Sequence, residues 1–176
     1  KTINNIKISN CDAIGISPKK IVKEYIKIGL VPIPLRKNNK IPLNNDWEKT
    51  TNELSYDQFM GIRDFNIGIL CGEPSGITVI DVDIYKEGLA HQPTLEWFND
   101  NKKFLIQTPY VKTISGNYHF YFNYDKSLPN CNLRTKIGLN IEIKNTGSQV
   151  VAYPSKIDGK QYKWVKLGEL KPIPME

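Results

Sequence analysis

Long apolar runs are missing from this sequence: no stretch approaches the roughly 18 to 20 residues that a bilayer-spanning helix needs. No signal peptide opens the chain either, and the expectation is an intracellular protein with no membrane partner. Cysteine is scarce, at positions 11, 71 and 131 only. An odd number at wide, even spacing fits neither a disulfide framework nor a zinc site with paired ligands, so buried reduced thiols are expected. Histidine is scarcer still, with His91 and His119 alone. Internal repeats and low-complexity segments are absent. What remains is an ordinary globular composition over 176 residues, 40% hydrophobic and 24% charged, enough for one good core. The 24 Lys and Arg against 18 Asp and Glu leave a formal charge of +6, which weakly favours a polyanionic partner, nucleic acid before membrane.

Turn residues and periodicity divide the chain. "SPKKIVKEYIKIGL" reads as a helix with Ser17 as N-cap, Pro18 at the first position, Gly29 at the stop and a docking stripe of Ile21, Val22, Tyr25 and Ile26. "LVPIPL" reads as a strand whose prolines place it at a sheet edge. Ser55 is expected to cap a second short helix, and "TLEWFNDNKKF" forms a third. "NIGILCG", "GITVIDVDI", "YVKTIS", "YHFYFNY", "LNIEIKN", "QVVAYP" and "QYKWV" read as strands. Helices come early and strands late, which predicts an α+β fold with a mostly antiparallel sheet.

Within "VIDVDI", Asp81 and Asp83 share one face while Ile80, Val82 and Ile84 share the other. Two carboxylates about 6 to 7 Å apart on a strand repel, and burial raises their pKa values unless a cation compensates. A divalent metal is the obvious compensator, whereas a solvated sheet face is the bland alternative. "YHFYFNY" places His119, Tyr121 and Asn123 on one face and Tyr118, Phe120, Phe122 and Tyr124 on the other, expected to be the packed one. In "NIEIKN", Glu142 and Lys144 share the face opposite Ile141 and Ile143. If the three polar faces coincide, three carboxylates, an imidazole and an ammonium meet on one sheet. Such a set suits phosphoryl chemistry: carboxylates hold Mg²⁺ or Mn²⁺, and lysine with a cationic histidine neutralises phosphate oxygens. The turn Ser115, Gly116, Asn117 offers backbone amides to a triphosphate. His91 has no such company and is read as structural.

Taken in order, "NIGILCGEPSGITVIDVDI", "SGNYHFYF" and "NIEIKNTGSQVVAYPS" followed by "YKW" resemble the motifs of the archaeo-eukaryotic primase superfamily, in its primase-polymerase (prim-pol) branch. The upstream "GLVPIPLRKNNKIPLNNDW" is similar to that branch's N-terminal segment, so the resemblance covers nearly the whole chain. It implies a DNA-templated nucleotidyltransferase that makes or extends primers on single-stranded DNA from NTPs or dNTPs by two-metal phosphoryl transfer. Carried over by position, Asp81, Asp83 and Glu142 match the metal-binding acids, and His119 the histidine that contacts the nucleotide's phosphates. Ser115 and Gly116 lie in the same motif, and Lys144 stands where a basic residue assists the nucleotide. Lys37 and Lys40 are candidates for a template-binding rim. The resemblance further implies a catalytic sheet of RNA-recognition-motif (RRM) type over roughly 66–176 beside a smaller α/β module over roughly 1–65, in one domain spanning 1–176. The expected setting is a longer replication protein at replicating DNA, with a replicative helicase beyond residue 176 or on another chain. Glu142 replaces a more usual Asp, Lys144 a more usual Arg and Tyr153 a usual proline. The first moves a carboxylate by about one methylene and the second loses the bidentate fork, which bears on nucleotide affinity rather than reaction type.

Two rivals stand beside this. Asp83 with Glu142 and Lys144 resembles the acidic and Glu-x-Lys signature of a metal-dependent nuclease superfamily, although the interval is long for it and "SGNYHFYF" is left unexplained. A noncatalytic single-stranded nucleic-acid-binding module would instead stack bases on Tyr118, Tyr121, Phe120 or Phe122.

Overall fold

Pro18 supplies a preset φ at the first turn of a helix whose next two turns bury Ile21, Val22 and Tyr25. In the computed structural model, which describes residues 1–3 and 17–174, that helix is α1 (Pro18–Lys27), preceded by β1 (Thr2–Ile3). There follow β2 (Pro32–Leu35), α2 (Asn52–Ser55), β3 (Asn66–Leu70), β4 (Ile77–Val82), α3 (His91–Leu105), β5 (Tyr110–Lys112) and β6 (Tyr118–Asn123). The chain continues through β7 (Cys131–Asn132), α4 (Leu133–Ile137), β8 (Ile141–Lys144), β9 (Gln149–Ala152), β10 (Lys156–Ile157), β11 (Lys160–Gln161), β12 (Lys163–Lys166) and β13 (Gly168–Glu169). A six-stranded antiparallel sheet has the order β12-β5-β6-β4-β8-β7, and a three-stranded antiparallel sheet the order β2-β3-β9. This is the α+β architecture that the distribution of helices and strands implied.

Each prolyl residue of β2 lacks an N–H, and β2 accordingly lies at the edge of its sheet. Gly29 ends α1 at φ +77°, a conformation open to glycine, and donates its N–H to the Ile26 carbonyl at 2.9 Å. Ser55 stands at the N-cap position of a 3-10 turn over Tyr56–Phe59, but its side chain makes no capping hydrogen bond. It is fully buried at the end of α2 and donates its hydroxyl to the Pro32 carbonyl at 2.5 Å, tying α2 to the edge strand. Cys71 is a buried free thiol, Cys131 is free but half-buried at a sheet edge, and Cys11 lies outside the described residues. Among the described residues, no helix is long and apolar enough to cross a membrane.

Both faces of the large sheet are packed. Phe98 and Leu105 of α3 meet Ile80, Val82, Phe120 and Phe122 on one face. On the opposite face Val79, Val111, Tyr121 and Trp164 join α1 and the small sheet's Ile33, Ile67, Ile69, Val150 and Val151. The expectation that only the Phe120 face of β6 is packed is therefore corrected: Tyr121 is 0% and His119 6% exposed because the small sheet covers them. Tyr25 joins the layers, donating its hydroxyl to the Tyr153 carbonyl at 2.7 Å and accepting from the Trp164 indole at 3.2 Å.

Among the described residues the chain turns directly from one sheet to the other from β3 to β4 and from β8 to β9, and crosses a third time, back to the large sheet, from β9 through β10 and β11 to β12. The two direct turns clasp each other. Cys71 N–H donates to the Ser148 carbonyl at 2.9 Å, and Glu73 N–H to the Thr146 hydroxyl at 3.1 Å. Gly72, at φ +78°, presses so closely on Thr146 that a Cβ would lie 2.1 to 2.4 Å from its atoms. No side chain fits there.

Candidate active site

Antiparallel register assembles the site. Asp81 on β4 stands directly opposite His119 on β6 and directly opposite Glu142 on β8. Side chains of directly opposed residues emerge on the same face with Cβ atoms about 4.5 to 5.5 Å apart, so the three polar faces coincide. Lys144 follows two residues along on that face, opposite Val79. Asp83 lies just past the end of β4, where its N–H donates to the Asn140 carbonyl at 2.9 Å. Along β4 this face changes character: Ile77 and Val79 lie in the core beneath the small sheet, and Asp81 and Asp83 follow. The acids open into a cavity of about 290 Å³ between the sheets, whose other walls carry Lys40, Ser115, Thr113, Tyr162, Gln149 and Val151.

Charge in this cavity is poorly solvated. Burial pushes the Asp81 carboxyl up to about 6, against the attraction of Lys144 and with a smaller repulsion from Glu142. Burial and Asp81 push Asp83 up as well. Burial first, then Lys40, holds the His119 imidazole down at about 4, with Asp83 opposing. The imidazole is therefore neutral at neutral pH, which corrects the expectation of a cationic histidine. Its Nε2 lies 3.6 Å from Asp81 Oδ1, its Nδ1 is buried, the Val151 backbone lies against it, and its ring faces that of Tyr162 with centroids 6.0 Å apart. Glu142 is ion-paired to Lys144 through Oε2 and accepts from Asn132 Nδ2 at 3.2 Å through Oε1. Asp83 accepts from Asn117 Nδ2 at 2.9 Å and lies 3.8 Å from the Lys86 ammonium.

The family described as Prim-Pol, bifunctional DNA primase/polymerase, N-terminal, matches residues 22–176, and the matched span contains every residue of this cavity. The chain belongs to that family. No individual curated protein matches it. At family level the prim-pol domain is thus a primase/polymerase-type nucleotidyltransferase of DNA replication.

The donor chemistry of the prim-pol cavity fits a divalent cation. Its carboxylates are hard oxygen ligands, and the raised Asp81 marks negative charge that a cation would relieve. Among the described residues, no three His, Cys, Asp or Glu side chains converge on one point as placed, Glu142 being paired with Lys144 instead.

Not every residue singled out in the sequence reaches the cavity. Lys40 and Ser115 line it, whereas Lys37 pairs with Asp64 at 3.0 Å and lines a separate hollow with Lys156 and Asn66. Gly116 adopts φ +84° and donates its N–H to the Thr113 carbonyl at 3.0 Å, so that amide is engaged within the turn. Ser115 holds the turn from the other side, its hydroxyl bonded to Thr113 and Asn117 at 3.1 Å each. His91 is the first residue of α3 and lies outside the cavity lining. Sequence reasoning missed Thr113, Gln149, Val151 and Tyr162. "QVVAYP" and "QYKWV" announced strands, but no local signal said that they would roof the acids. Of the residues that the binding-module reading needs, Tyr121, Phe120 and Phe122 are buried between the sheets and α3 and have no face to offer a base, whereas Tyr118 is half-buried and stacks on Phe98 with centroids 5.7 Å apart.

Proposed function

We propose that the prim-pol domain makes or extends primers on single-stranded DNA from NTPs or dNTPs, with Asp81, Asp83 and Glu142 holding Mg²⁺ or Mn²⁺. One observation carries the reading: Asp81 stands between His119 and Glu142 in register, with Lys144 beside them, inside a single cavity. Bound divalent ions supply charge neutralisation and activation of a 3′-hydroxyl in such chemistry. The chain's own residues do the rest. Neutral His119 donates one ring N–H to a phosphate oxygen, and its burial against Tyr162 limits the orientations it can take. Lys144 exchanges Glu142 for the triphosphate, which releases the carboxylate for the cation. Lys40 and Ser115, which line the cavity, are assigned to the phosphates, and Lys37, in the separate hollow, is assigned to the template strand. A replicative helicase, in cis or in trans, and a replication site inside the cell complete the proposal.

The test incubates the domain with labelled nucleotides, Mn²⁺ or Mg²⁺ and single-stranded DNA, primed and unprimed, beside Asp81→Asn. Lengthened or new strands that vanish in the variant support the reading, and the unprimed lane reports initiation. Shortened strands would transfer Asp83, Glu142 and Lys144 to the nuclease alternative. Binding with no chemistry in any lane would sink the polymerase assignment for this domain.

A further inference from the structure

Of the aromatic side chains in the described residues, only Tyr85 stands on the exposed surface, at 61% exposure. Leaving a large ring in water forgoes the favourable burial that the other aromatics obtain, so its fixed position there asks for a reason. The position is fixed. Tyr85 N–H donates to Asn117 Oδ1 at 2.9 Å, and the same Asn117 amide donates to Asp83 at 2.9 Å, so one side chain aligns the tyrosine and the acid two residues before it. One edge of the ring rests against Gly116, with Cδ2 and Cε2 3.5 Å from where a Cβ would be. Gly116 directly follows Ser115, which lines the acid cavity. Two lysines lie nearby: Lys112 Cε approaches the same point to 3.9 Å, and Lys86 follows Tyr85 in the chain, its ammonium 3.8 Å from Asp83.

We propose that Tyr85 is a stacking platform for a nucleobase at the mouth of the acid cavity. A flat π face offers sequence-tolerant stacking, and nearby ammonium groups offer phosphate contacts, the pairing by which proteins hold single-stranded nucleic acid. The inference rests on the polymerase reading only for the identity of the chemistry next door; the stacking itself needs none of it. The base belongs either to the incoming nucleoside triphosphate or to the DNA strand, and the same recognition chemistry serves both.

The experiment compares wild type with Tyr85→Ala and Tyr85→Phe in two arms without catalysis: binding of a fluorescent nucleoside triphosphate in Ca²⁺, and binding of a fluorescent oligothymidylate in EDTA by polarisation. Tyr85→Ala is expected to weaken one arm or both by about 5- to 150-fold, with Tyr85→Phe retaining wild-type affinity and the melting temperature unchanged. Loss in the nucleotide arm assigns the base to the substrate, loss in the oligonucleotide arm to the strand, and loss in both to a shared platform. Affinities within twofold of wild type in both arms, or no binding of either probe by wild type, overturn the platform. Asp81→Asn run beside them separates the readings: stacking lost in Tyr85→Ala while wild type synthesises nothing would remove the polymerase assignment and keep the platform.

Discussion

Asp81→Asn should make the metal-free domain more stable while destroying its response to metal. In the folded chain Asp81 ionises near 6 against an ordinary 3.8, because burial and Glu142 disfavour its charge more than Lys144 favours it. Between about pH 4 and 6 the folded state therefore holds a proton that the unfolded state has released, and wild-type stability falls as pH rises through that window. Above it the penalty is complete, and 2.2 units at about 1.36 kcal/mol each set an upper bound of about 3 kcal/mol. With the side chain 21% exposed, solvent trims this, and about 1 to 3 kcal/mol is expected at pH 7. At about 2 to 4 °C per kcal/mol for a chain of this size, Asn should raise the melting temperature by about 2 to 12 °C in EDTA. The gap should close at pH 4 and open through pH 6. Adding Mn²⁺ should then raise the melting temperature of wild type and leave Asp81→Asn unmoved, since only a state that binds ligand is stabilised by it. Thermal melts at four pH values with and without Mn²⁺ make the check. A variant less stable than wild type at pH 7 in EDTA, or a gap that ignores pH, would refute the electrostatic reasoning and leave Asp81 a structural carboxylate.

Lys144→Met removes the partner that occupies Glu142 and should raise Mn²⁺ affinity in the absence of nucleotide by about 3- to 10-fold while weakening nucleotide binding; calorimetric titration reads both, and a lower Mn²⁺ affinity would contradict the exchange. His119→Ala should raise the apparent nucleotide KM by about 10-fold or more, and an unchanged KM in a variant that still folds would remove the imidazole from the phosphate site. Gly72→Ala combines a left-handed φ with a Cβ 2.1 to 2.4 Å from Thr146 and should cost more than about 1 kcal/mol in urea denaturation; a cost near zero would mean that the clasp between the two turns gives way.

The strands and their faces were legible because period-two alternation is a local property, and "VIDVDI", "YHFYFNY" and "NIEIKN" each state their own faces. That the three polar faces meet follows from register, which the sequence constrains only through the apolar residues on the other side. What lies above that face was not legible. The cover comes from β3 and β9, remote in sequence from β6, so nothing near His119 announced that it would be buried or neutral. Ser55 misled for a related reason: its hydroxyl obeys a capping pattern locally but is taken by the Pro32 carbonyl across the structure. The Gly116 amide looked free for a ligand until the turn closed on Thr113.

The direct pairing of Asp81 with both His119 and Glu142 also determines how this domain can fail. A slip of one residue in β8 would send Glu142 and Lys144 toward α3 and bring Ile141 and Ile143 over the acids. Such a molecule would be wholly inert rather than slowed, since no neighbouring residue could stand in for the lost carboxylate. A preparation therefore divides into molecules in register and molecules without activity. Titrating active molecules in refolded or destabilised samples would count correct strand pairing, and turnover per active molecule should stay constant while the active fraction falls.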